Sequence, residues 1–226
     1  MSSWFRKRYL DVLGSIYIYN EHRGYTAIDD LLAAVKARWP DDRKLIAKIE
    51  KHRTDEHKHY VMFRRWFERR GTMPYAVDKA CGHIDRFVSI MFGKGIDDLD
   101  KLEVVGSDEQ FGRLCRVISL TERRGYKQVE VLLRNSHVLS DPTLAKMFRI
   151  IEQDEPSHWE PYDGWLDAHG GRRDRWWERV VDSYIHSELL FLKLPLLFLV
   201  PLARRTRFAD EEDGRGGPAP VAAAAH

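Results

Sequence analysis

The feature that most constrains the fold of this chain is a pair of polar motifs that each occur twice. The motifs are Glu21-His-Arg-Gly-Tyr25, repeated as Glu122-Arg-Arg-Gly-Tyr126, and Asp55-Glu56-His-Lys-His59, repeated as Asp154-Glu155-Pro-Ser-His158. The first motif recurs after 101 residues, from position 21 to 122, and the second after 99, from position 56 to 155. Because two separate motifs are displaced by nearly the same distance, we predict that residues 1–70 and 108–168 are two related structural units.

The remainder of the sequence favours long helices. The 226 residues contain only 15 Gly and 9 Pro, and five of the glycines lie at or after position 170. Sandwiches and barrels need a turn every ~8–12 residues, which this sequence does not supply. Apolar periodicity, with breaks at Pro40 and Gly71, predicts helices over about 4–39, 41–70, 76–91, 108–138, 143–168 and 173–194. We therefore predict an all-α fold with two long helical hairpins and a longer link between them.

The composition excludes several classes of protein. The 37 basic and 35 acidic residues give a net charge of +2, which provides no reason to expect a nucleic-acid partner. Cys81 and Cys115 are isolated, so neither a disulfide framework nor a cysteine-built zinc site is expected. The N-terminal segment lacks the apolar stretch and cleavage site of a signal peptide, which predicts a cytoplasmic location.

Within each half, a lone glutamate precedes a Glu-x-x-His pair at a matched distance. The spacing is 35 residues from Glu21 to Glu56 and 33 residues from Glu122 to Glu155. About thirty residues suffice to run along one helix, turn, and return to the same level on an antiparallel neighbour. Since Glu and His at i and i+3 project from one helix face, both pairs and both lone glutamates are expected to meet at one height in the core.

A cluster of four carboxylates and two imidazoles predicts a dinuclear metal site. Carboxylates are too costly to bury in an apolar interior unless they are paired or bind metal ions. Two divalent cations would balance the four negative charges, so the cluster becomes neutral only when both cations are bound. Carboxylate and imidazole ligands favour iron or manganese, and zinc is also compatible with these ligand types.

This constellation resembles the ferritin-like di-iron/di-manganese carboxylate superfamily over roughly residues 9–168. The resemblance implies a ferritin-like four-helix bundle with a long crossover between helices 2 and 3 and an additional C-terminal helix. It also implies two iron ions, or a mixed Mn/Fe pair, as cofactors. The metal ligands that it implies are Glu21, Glu56, His59, Glu122, Glu155 and His158.

The aspartate before each Glu-x-x-His pair is similar to the pattern of the oxygen-activating branch of that superfamily. A metal-bound histidine usually donates its second N–H to a carboxylate, which fixes the orientation of the ring. By this resemblance, Asp55 would orient His158 and Asp154 would orient His59. Storage ferritins generally lack this symmetrical pair of aspartates.

The resemblance therefore implies a dinuclear non-haem iron oxidoreductase that activates O₂ to hydroxylate, desaturate or otherwise oxidise an organic substrate. The aromatic surroundings and the apolar C-terminal segment suggest that this substrate is small and hydrophobic. The sequence has no cysteine cluster and no Gly-rich nucleotide-binding loop, so the electron donor is expected to be a separate protein. The alternatives are a ferroxidase, iron-storage or peroxide-detoxifying protein, and an inert bundle whose polar core is structural.

Several other polar residues near the ligand positions have two interpretations each. Tyr25, Tyr126 and Tyr17 lie one turn from the lone glutamates, where they could bond the ligands or take part in redox chemistry. A buried tyrosine more often only satisfies its hydrogen bond, which is the interpretation we prefer. His52, one turn before Glu56, is either a seventh ligand or, as we prefer, a neighbour of the ligands. His22, His57 and His83 lie off the helix faces that carry the predicted ligands, so we expect them to face solvent. We expect Arg23 and Arg124 to lie at the surface or in ion pairs.

Pro156 disturbs the second Glu-x-x-His pair. Proline removes a helical hydrogen bond and costs ~3 kcal/mol in a regular helix interior. The fourth helix is therefore expected either to be kinked or bulged at the metal site or to end near Glu155. The second outcome would move His158 out of the core.

The C-terminal part consists of an apolar segment and a charged tail. Residues 189–203 are apolar except for Lys193, but fifteen helical residues span only about 22 Å, less than the ~30 Å of a bilayer core. With the arginines that follow, 189–207 is either a peripheral membrane contact or, as we prefer, a segment that packs on the bundle or in a homodimer interface. The predicted domains are a metal-binding bundle at 1–170, an apolar helical extension at 171–208 and a disordered tail at 209–226.

Overall fold

Helices account for all the regular elements in the part of the chain that can be described. A computed structural model describes residues 3–173, 175–200 and 203–214. The helices are α1 (Ser3–Arg38), α2 (Arg43–Arg69), α3 (His83–Phe92), α4 (Lys101–Gly106), α5 (Asp108–Leu132), α6 (Ser136–Leu139), α7 (Pro142–Asp154), α8 (Pro156–Ala168), α9 (Trp176–Glu188), a π-helical turn (Leu189–Lys193), α10 (Leu194–Leu199) and α11 (Ala209–Glu212). These ranges contain no strand, only one antiparallel bridge between Tyr75 and Arg205. The predicted all-α class is confirmed.

The first hairpin consists of α1 and α2. Asp42 ends the turn between them and caps α2, because its side chain accepts a hydrogen bond from the Leu45 amide at 3.0 Å. Ion pairs between the two helices are Lys36 with Glu50, Asp29 with Arg53, and Asp11 with Arg70. Residue numbers fall on one helix as they rise on the other, so the two helices are antiparallel.

The second hairpin consists of α5 and the consecutive helices α7 and α8. Asp141 caps α7 by accepting a hydrogen bond from a backbone amide of the first turn. Ser119 on α5 donates a hydrogen bond to Asp163 on α8 at 2.8 Å. Nearer the start of α5, Phe111 packs edge-on against Trp165 with 4.7 Å between ring centroids. These helices are therefore antiparallel as well.

The two hairpins pack against each other through α2 and the α7–α8 pair. From one end to the other, the contacts are Trp66 with Asp141, His59 with Asp154, and Lys48 with Glu160. This order makes α2 antiparallel to α7 and α8. Four lengths of helix thus enclose a common interior.

The apolar core forms two layers with one polar level between them. Ile28, Ile49, Ile118 and Tyr162 belong to one layer. Leu13, Phe63, Val129 and Phe148 belong to the other. Each of α1, α2, α5 and the α7–α8 pair contributes one of these residues to each apolar layer. In every case the glutamate of the repeated motif lies between those two residues in sequence. The fold therefore places all four glutamates at the same level.

The link between the hairpins contains two short helices, whereas the sequence predicted one over about 76–91. The helix α3 ends at Gly93, whose φ of 68° is a left-handed conformation that glycine adopts without strain. The Asp100 side chain caps α4, and α4 packs against both α1 and α5. The link thus lies against both α1 and α5, one helix from each hairpin.

The C-terminal helices pack on both hairpins. On α9, the fully buried Glu178 accepts hydrogen bonds from Nε of Arg116 on α5, at 2.9 Å to each carboxylate oxygen. Arg8 on α1 donates hydrogen bonds to the main-chain oxygens of Leu197 and Phe198. The helix predicted over about 173–194 is instead α9 followed by the π-helical turn. None of the described helices is both long and apolar enough to cross a membrane.

The beginning of the predicted disordered tail is ordered, which corrects that prediction for residues 209–214. Asp210 in α11 is buried and accepts a hydrogen bond from the Tyr60 hydroxyl at 2.5 Å. Arg64 on α2 forms ion pairs with Asp210 and Glu211. Composition alone misses this, because the acidic residues are held by partners on another helix. Residues 215–226 lie outside the described residues.

Candidate metal centre

The six predicted ligands meet in the interior, at the polar level between the two apolar layers. The exposed fraction is 7% for Glu21, Glu56 and Glu155 and 0% for His59 and His158. Glu122 is half-buried, with 16% of its side chain exposed. The ligand positions come from α1, α2, α5 and the α7–α8 junction, so each length of helix around the interior contributes to the cluster.

Five of the six predicted ligands, together with His52, fall into two groups that share Glu56, and Glu155 belongs to neither group. The groups are His52, Glu56, Glu122 and His158, and Glu21, Glu56 and His59, with the ligand atoms of each group all within 4.8 Å of one another. His158 Nδ1 lies 3.2 Å from Glu56 Oε1 and 3.6 Å from Glu122 Oε2. His59 Nδ1 lies 3.3 Å from Glu21 Oε2. Each group could hold a metal ion, and a carboxylate common to both could bridge two ions.

His52 belongs to the first group, although the sequence analysis preferred a position beside the ligands. Its ring stacks on His158 with 4.3 Å between centroids, and its Nε2 lies 3.7 Å from Glu56 Oε1. Its Nδ1 is 3.0 Å from the Tyr162 hydroxyl, which orients the ring. The signal for this residue was its position one turn before Glu56 on the same helix face. It has no counterpart in the second half, where the equivalent residue is Ile151.

Glu155 lies between two helices because Pro156 begins α8 immediately after it. Glu155 nevertheless keeps α-helical dihedral angles, φ −47° and ψ −43°, and its carbonyl accepts a hydrogen bond from the His158 amide. The helix is thus interrupted at the cluster, as one prediction held, but His158 stays in the interior. Glu155 Oε2 lies 3.7 Å from His158 Nδ1.

The two aspartates are placed differently. Asp154 Oδ2 lies 2.9 Å from His59 Nε2, the contact that the resemblance implied. Asp55 Oδ2 lies 3.6 Å from His158 Nε2, too far for a hydrogen bond, and Asp55 instead accepts a hydrogen bond from Lys58 at 2.7 Å. The symmetry of the sequence motif is therefore only partly kept in the contacts.

Burial and like charges shift the pKa values of the cluster strongly. Burial and the Glu56 carboxylate raise the pKa of Glu21 to about 7. Burial, with Glu122 nearby, raises the pKa of Glu155 well above its usual range. Burial alone would lower the pKa of His59, but Asp154 and Glu21 raise it to about 10. Protons on these groups partly compensate the negative charge, which is the role that bound cations would take over.

Several polar atoms in the cluster make no hydrogen bond with a described residue. They are Nε2 of His52, Nδ1 of His59, both ring nitrogens of His158 and Oε2 of Glu155. Leaving a buried polar atom unsatisfied costs about 1–3 kcal/mol. Because all five atoms belong to one cluster of carboxylates and imidazoles, the residues present fit a site for metal ions.

Gly24 explains part of the repeated motif. A Cβ atom at this position would collide with Oε2 of Glu56 and lie 3.1 Å from its Cδ. The equivalent glycine of the other half is under less constraint, since a Cβ at Gly125 would lie 3.6 Å from Glu155 Oε1, an ordinary contact. Gly24 therefore lets the shared carboxylate of Glu56 approach α1.

The tyrosines of the motif differ in environment. Tyr25 is buried, with its ring packed against His22 and Tyr60. Tyr126 is half-buried and packs edge-on against Trp159. In both cases the contacts are those of a packed aromatic ring. The hydroxyl of Tyr17 is the one that lines the cavity beside the cluster, and burial raises its pKa above the usual range.

Two histidines expected to face solvent are buried. His22 exposes 8% of its surface and contacts Asp213 at 2.8 Å, so the ordered start of the tail covers it. His83 exposes 4% and lies 3.0 Å from Asp182 on α9. Helix-face arguments missed both histidines because the covering residues are more than ninety positions away in sequence. As expected, Arg23 and Arg124 are ion-paired, with Asp85 and Asp182 respectively. His57, which was expected to face solvent, is half-buried.

An internal cavity of about 150 Å³ adjoins the cluster. It lies between α1 and α5, and Glu21, Glu56, Glu122, Glu155 and His52 form its polar wall. Apolar side chains form most of the remaining wall, among them Ile16, Ile28, Val88, Leu114 and Ile118. Along α1 the lining extends from Leu13 to Leu31, about 27 Å at 1.5 Å per residue. The candidate metal centre thus faces an elongated apolar space.

Comparison of the chain with protein-family models, curated protein sequences and solved structures gave no match. The chemistry that the site can perform follows from its donor set and surroundings. Carboxylates and imidazoles suit divalent iron, manganese or zinc, and apolar side chains form most of the rest of the cavity wall beside them.

Proposed function

We propose that this protein is a ferritin-like four-helix bundle that holds two iron ions, or a manganese and an iron ion, and oxidises an organic substrate with dioxygen. The observation that carries the proposal is that carboxylates and imidazoles, arranged in two donor groups with a shared glutamate, form one wall of an apolar cavity. Two such metal ions, when bound, would supply the electrons that reduce dioxygen. A separate protein is the proposed source of further electrons.

The side chains of the chain have distinct parts in this proposal. Glu56 joins the two donor groups, and Asp154 holds the His59 ring so that Nδ1 faces Glu21. Tyr17 keeps its proton because burial raises the pKa of its hydroxyl, so it can donate a hydrogen bond inside the cavity. The apolar side chains bind the substrate and keep water from the reacting atoms.

The cavity favours an organic substrate over the alternative ferroxidase or iron-storage function. Iron ions passing to a storage compartment would need a polar path, whereas most of the remaining cavity wall is made of apolar side chains such as Ile28, Val88 and Ile118. Size-exclusion chromatography provides a direct check. A monomer or dimer agrees with the proposal, and a shell of many subunits contradicts it.

Anaerobic loading with Fe(II), followed by exposure to O₂, tests the proposed function. We expect two iron ions per chain and a Mössbauer spectrum of a spin-coupled diferric product. The variant Glu56→Ala removes the shared carboxylate and is expected to lose the coupled spectrum, whereas Glu50→Ala, on the exposed side of the same helix, is the matched control. Fewer than about one metal ion per chain in the folded wild-type protein would refute the proposal and support a structural polar core.

A further inference from the structure

A surface groove adjoins the cavity beside the candidate metal centre. The groove lies between α1, α5 and the C-terminal helices and has a volume of about 1270 Å³. Its wall includes Phe198 and Leu199, the second of which exposes 70% of its surface. Leu13, Arg124, Gln128 and Leu194 line both the groove and the cavity. The two spaces therefore share part of their walls, and a molecule in the groove lies directly beside the cavity.

The charged part of the groove wall is basic. Its charged residues are Arg123, Arg124, Lys127, Arg179 and Asp182. Arg124 pairs with Asp182 at 3.1 Å, and Arg123 pairs with Asp163 on α8. Lys127 is exposed and forms no ion pair with the residues that the structure describes. An anionic group in the groove would therefore find a cation at Lys127 that no carboxylate already neutralises.

The dimensions of the two spaces suit a long unbranched chain. Lys127 lies thirteen residues beyond Leu114, so the lining of α5 spans about 20 Å between them. Acyl chains in one leaflet of a bilayer cover about 15 Å, half of the ~30 Å hydrocarbon core. A cavity of about 150 Å³ holds a molecule the size of benzene, which is about six carbon atoms. The remaining carbons and the head of a longer chain would therefore lie in the groove.

We propose that the substrate is a single-chain amphiphile with an anionic head, such as a long-chain carboxylate. The apolar end lies in the cavity against the ligand cluster, and the head lies in the groove at Lys127. That the bound amphiphile is oxidised rests on the proposed function, but its binding does not, because Lys127 and the apolar part of the cavity wall contain no metal ligand.

Binding to chelator-treated protein tests this inference separately from the metal chemistry. A dansyl-labelled undecanoate serves as the fluorescent probe, and hexadecanoate competes with it. We expect saturable binding of one probe per chain and displacement by hexadecanoate. Hexadecyltrimethylammonium, which has the same chain and a cationic head, is expected to compete at least tenfold more weakly. Vesicles of phosphatidylglycerol form a second arm, since displacement by them identifies bilayer lipid as the source and displacement by the free acid alone identifies the free acid.

Two pairs of variants locate the bound molecule. Ala27→Leu narrows the cavity and Lys127→Glu reverses the charge at the head, and each is expected to weaken hexadecanoate binding at least tenfold. Ala33→Leu on the exposed side of α1 and Lys146→Glu on α7 are the matched controls and are expected to bind as the wild type does. Absence of saturable binding, equal competition by the cationic amphiphile, or equal affinity of all four variants overturns the proposal. If the wild-type protein binds hexadecanoate but does not give the spectrum of a coupled diferric product, only the proposed function is overturned.

Discussion

Replacement of Gly24 by alanine tests whether the close approach of Glu56 to α1 organises the candidate metal centre. In both halves of the repeat, glycine at this position lies inside a helix, where alanine is favoured by about 1 kcal/mol. At Gly24 the new methyl group would overlap Glu56 Oε2, and overpacking of this kind costs about 1–3 kcal/mol. We therefore expect Gly24→Ala to leave the free energy of unfolding unchanged or to lower it by up to about 2 kcal/mol. The matched variant Gly125→Ala meets only an ordinary contact and should raise it by about 1 kcal/mol.

Metal binding separates the two glycine variants further. Glu56 is the one residue common to both donor groups, so its displacement disturbs both at once. We expect the affinity of Gly24→Ala for Fe(II), measured anaerobically, to fall at least tenfold, equivalent to about 1.4 kcal/mol, with little change for Gly125→Ala. Urea unfolding of the chelator-treated proteins measures the stability term. Wild-type metal affinity in Gly24→Ala, or equal losses in both variants, would refute the reasoning.

Three further predictions concern other parts of the structure. Asp154→Asn weakens the hydrogen bond that orients the His59 ring and should lower metal affinity about 10–100-fold. Asp55 lies too far from His158 for such a hydrogen bond, so Asp55→Asn should lower metal affinity less. Metal titration of the two variants compares them. Burial lowers the pKa of His83 in the folded protein to about 4, against about 6.5 in the unfolded chain. Between pH 6.5 and pH 4 the unfolded chain therefore binds a proton that the folded protein does not, and the free energy of unfolding falls over this range. Between pH 7 and pH 4, His83→Phe should therefore lose about 3 kcal/mol less unfolding free energy than the wild type, and an identical pH profile would contradict this. Glu178→Gln leaves the Arg116 cation buried without its counter-charge and should lower stability by about 3–5 kcal/mol in urea unfolding, and a change below 1 kcal/mol would be incompatible with a buried pair.

The repeated motifs determined how much of the site could be predicted from sequence. Matched spacings in two helical hairpins were sufficient to bring Glu21, Glu56, Glu122 and Glu155 to one level, because helix geometry converts sequence distance into height. Their assignment as metal ligands stays a prediction. The place of His52 was open in sequence, since a residue one turn from a ligand can face the metal or its neighbours, and the choice depends on the packing of α8.

Contacts between distant segments were beyond sequence reasoning. The burial of His22 and the helix at Ala209–Glu212 arise together, because the acidic residues after Phe208 pair with α1 and α2. Local composition carries no information about such pairs. The unequal contacts of Asp55 and Asp154 have a local cause instead, since Lys51 and Lys58, one turn before and after Asp55 on α2, hold its carboxylate.

The interruption at Pro156 distinguishes two glutamates that the repeat makes equivalent. Glu56 stands in the middle of an unbroken helix and is pressed against Gly24, so any displacement of its carboxylate must strain α2 or α1. Glu155 has a proline after it, and the carbonyl of Glu152 has no amide hydrogen from position 156 to bind. Rearranging the backbone at Glu155 therefore breaks fewer hydrogen bonds. If a carboxylate of the proposed metal centre changes position during a reaction, we expect it to be that of Glu155, at the interrupted helix. We expect the carboxylate of Glu56, in the unbroken helix, to keep its position.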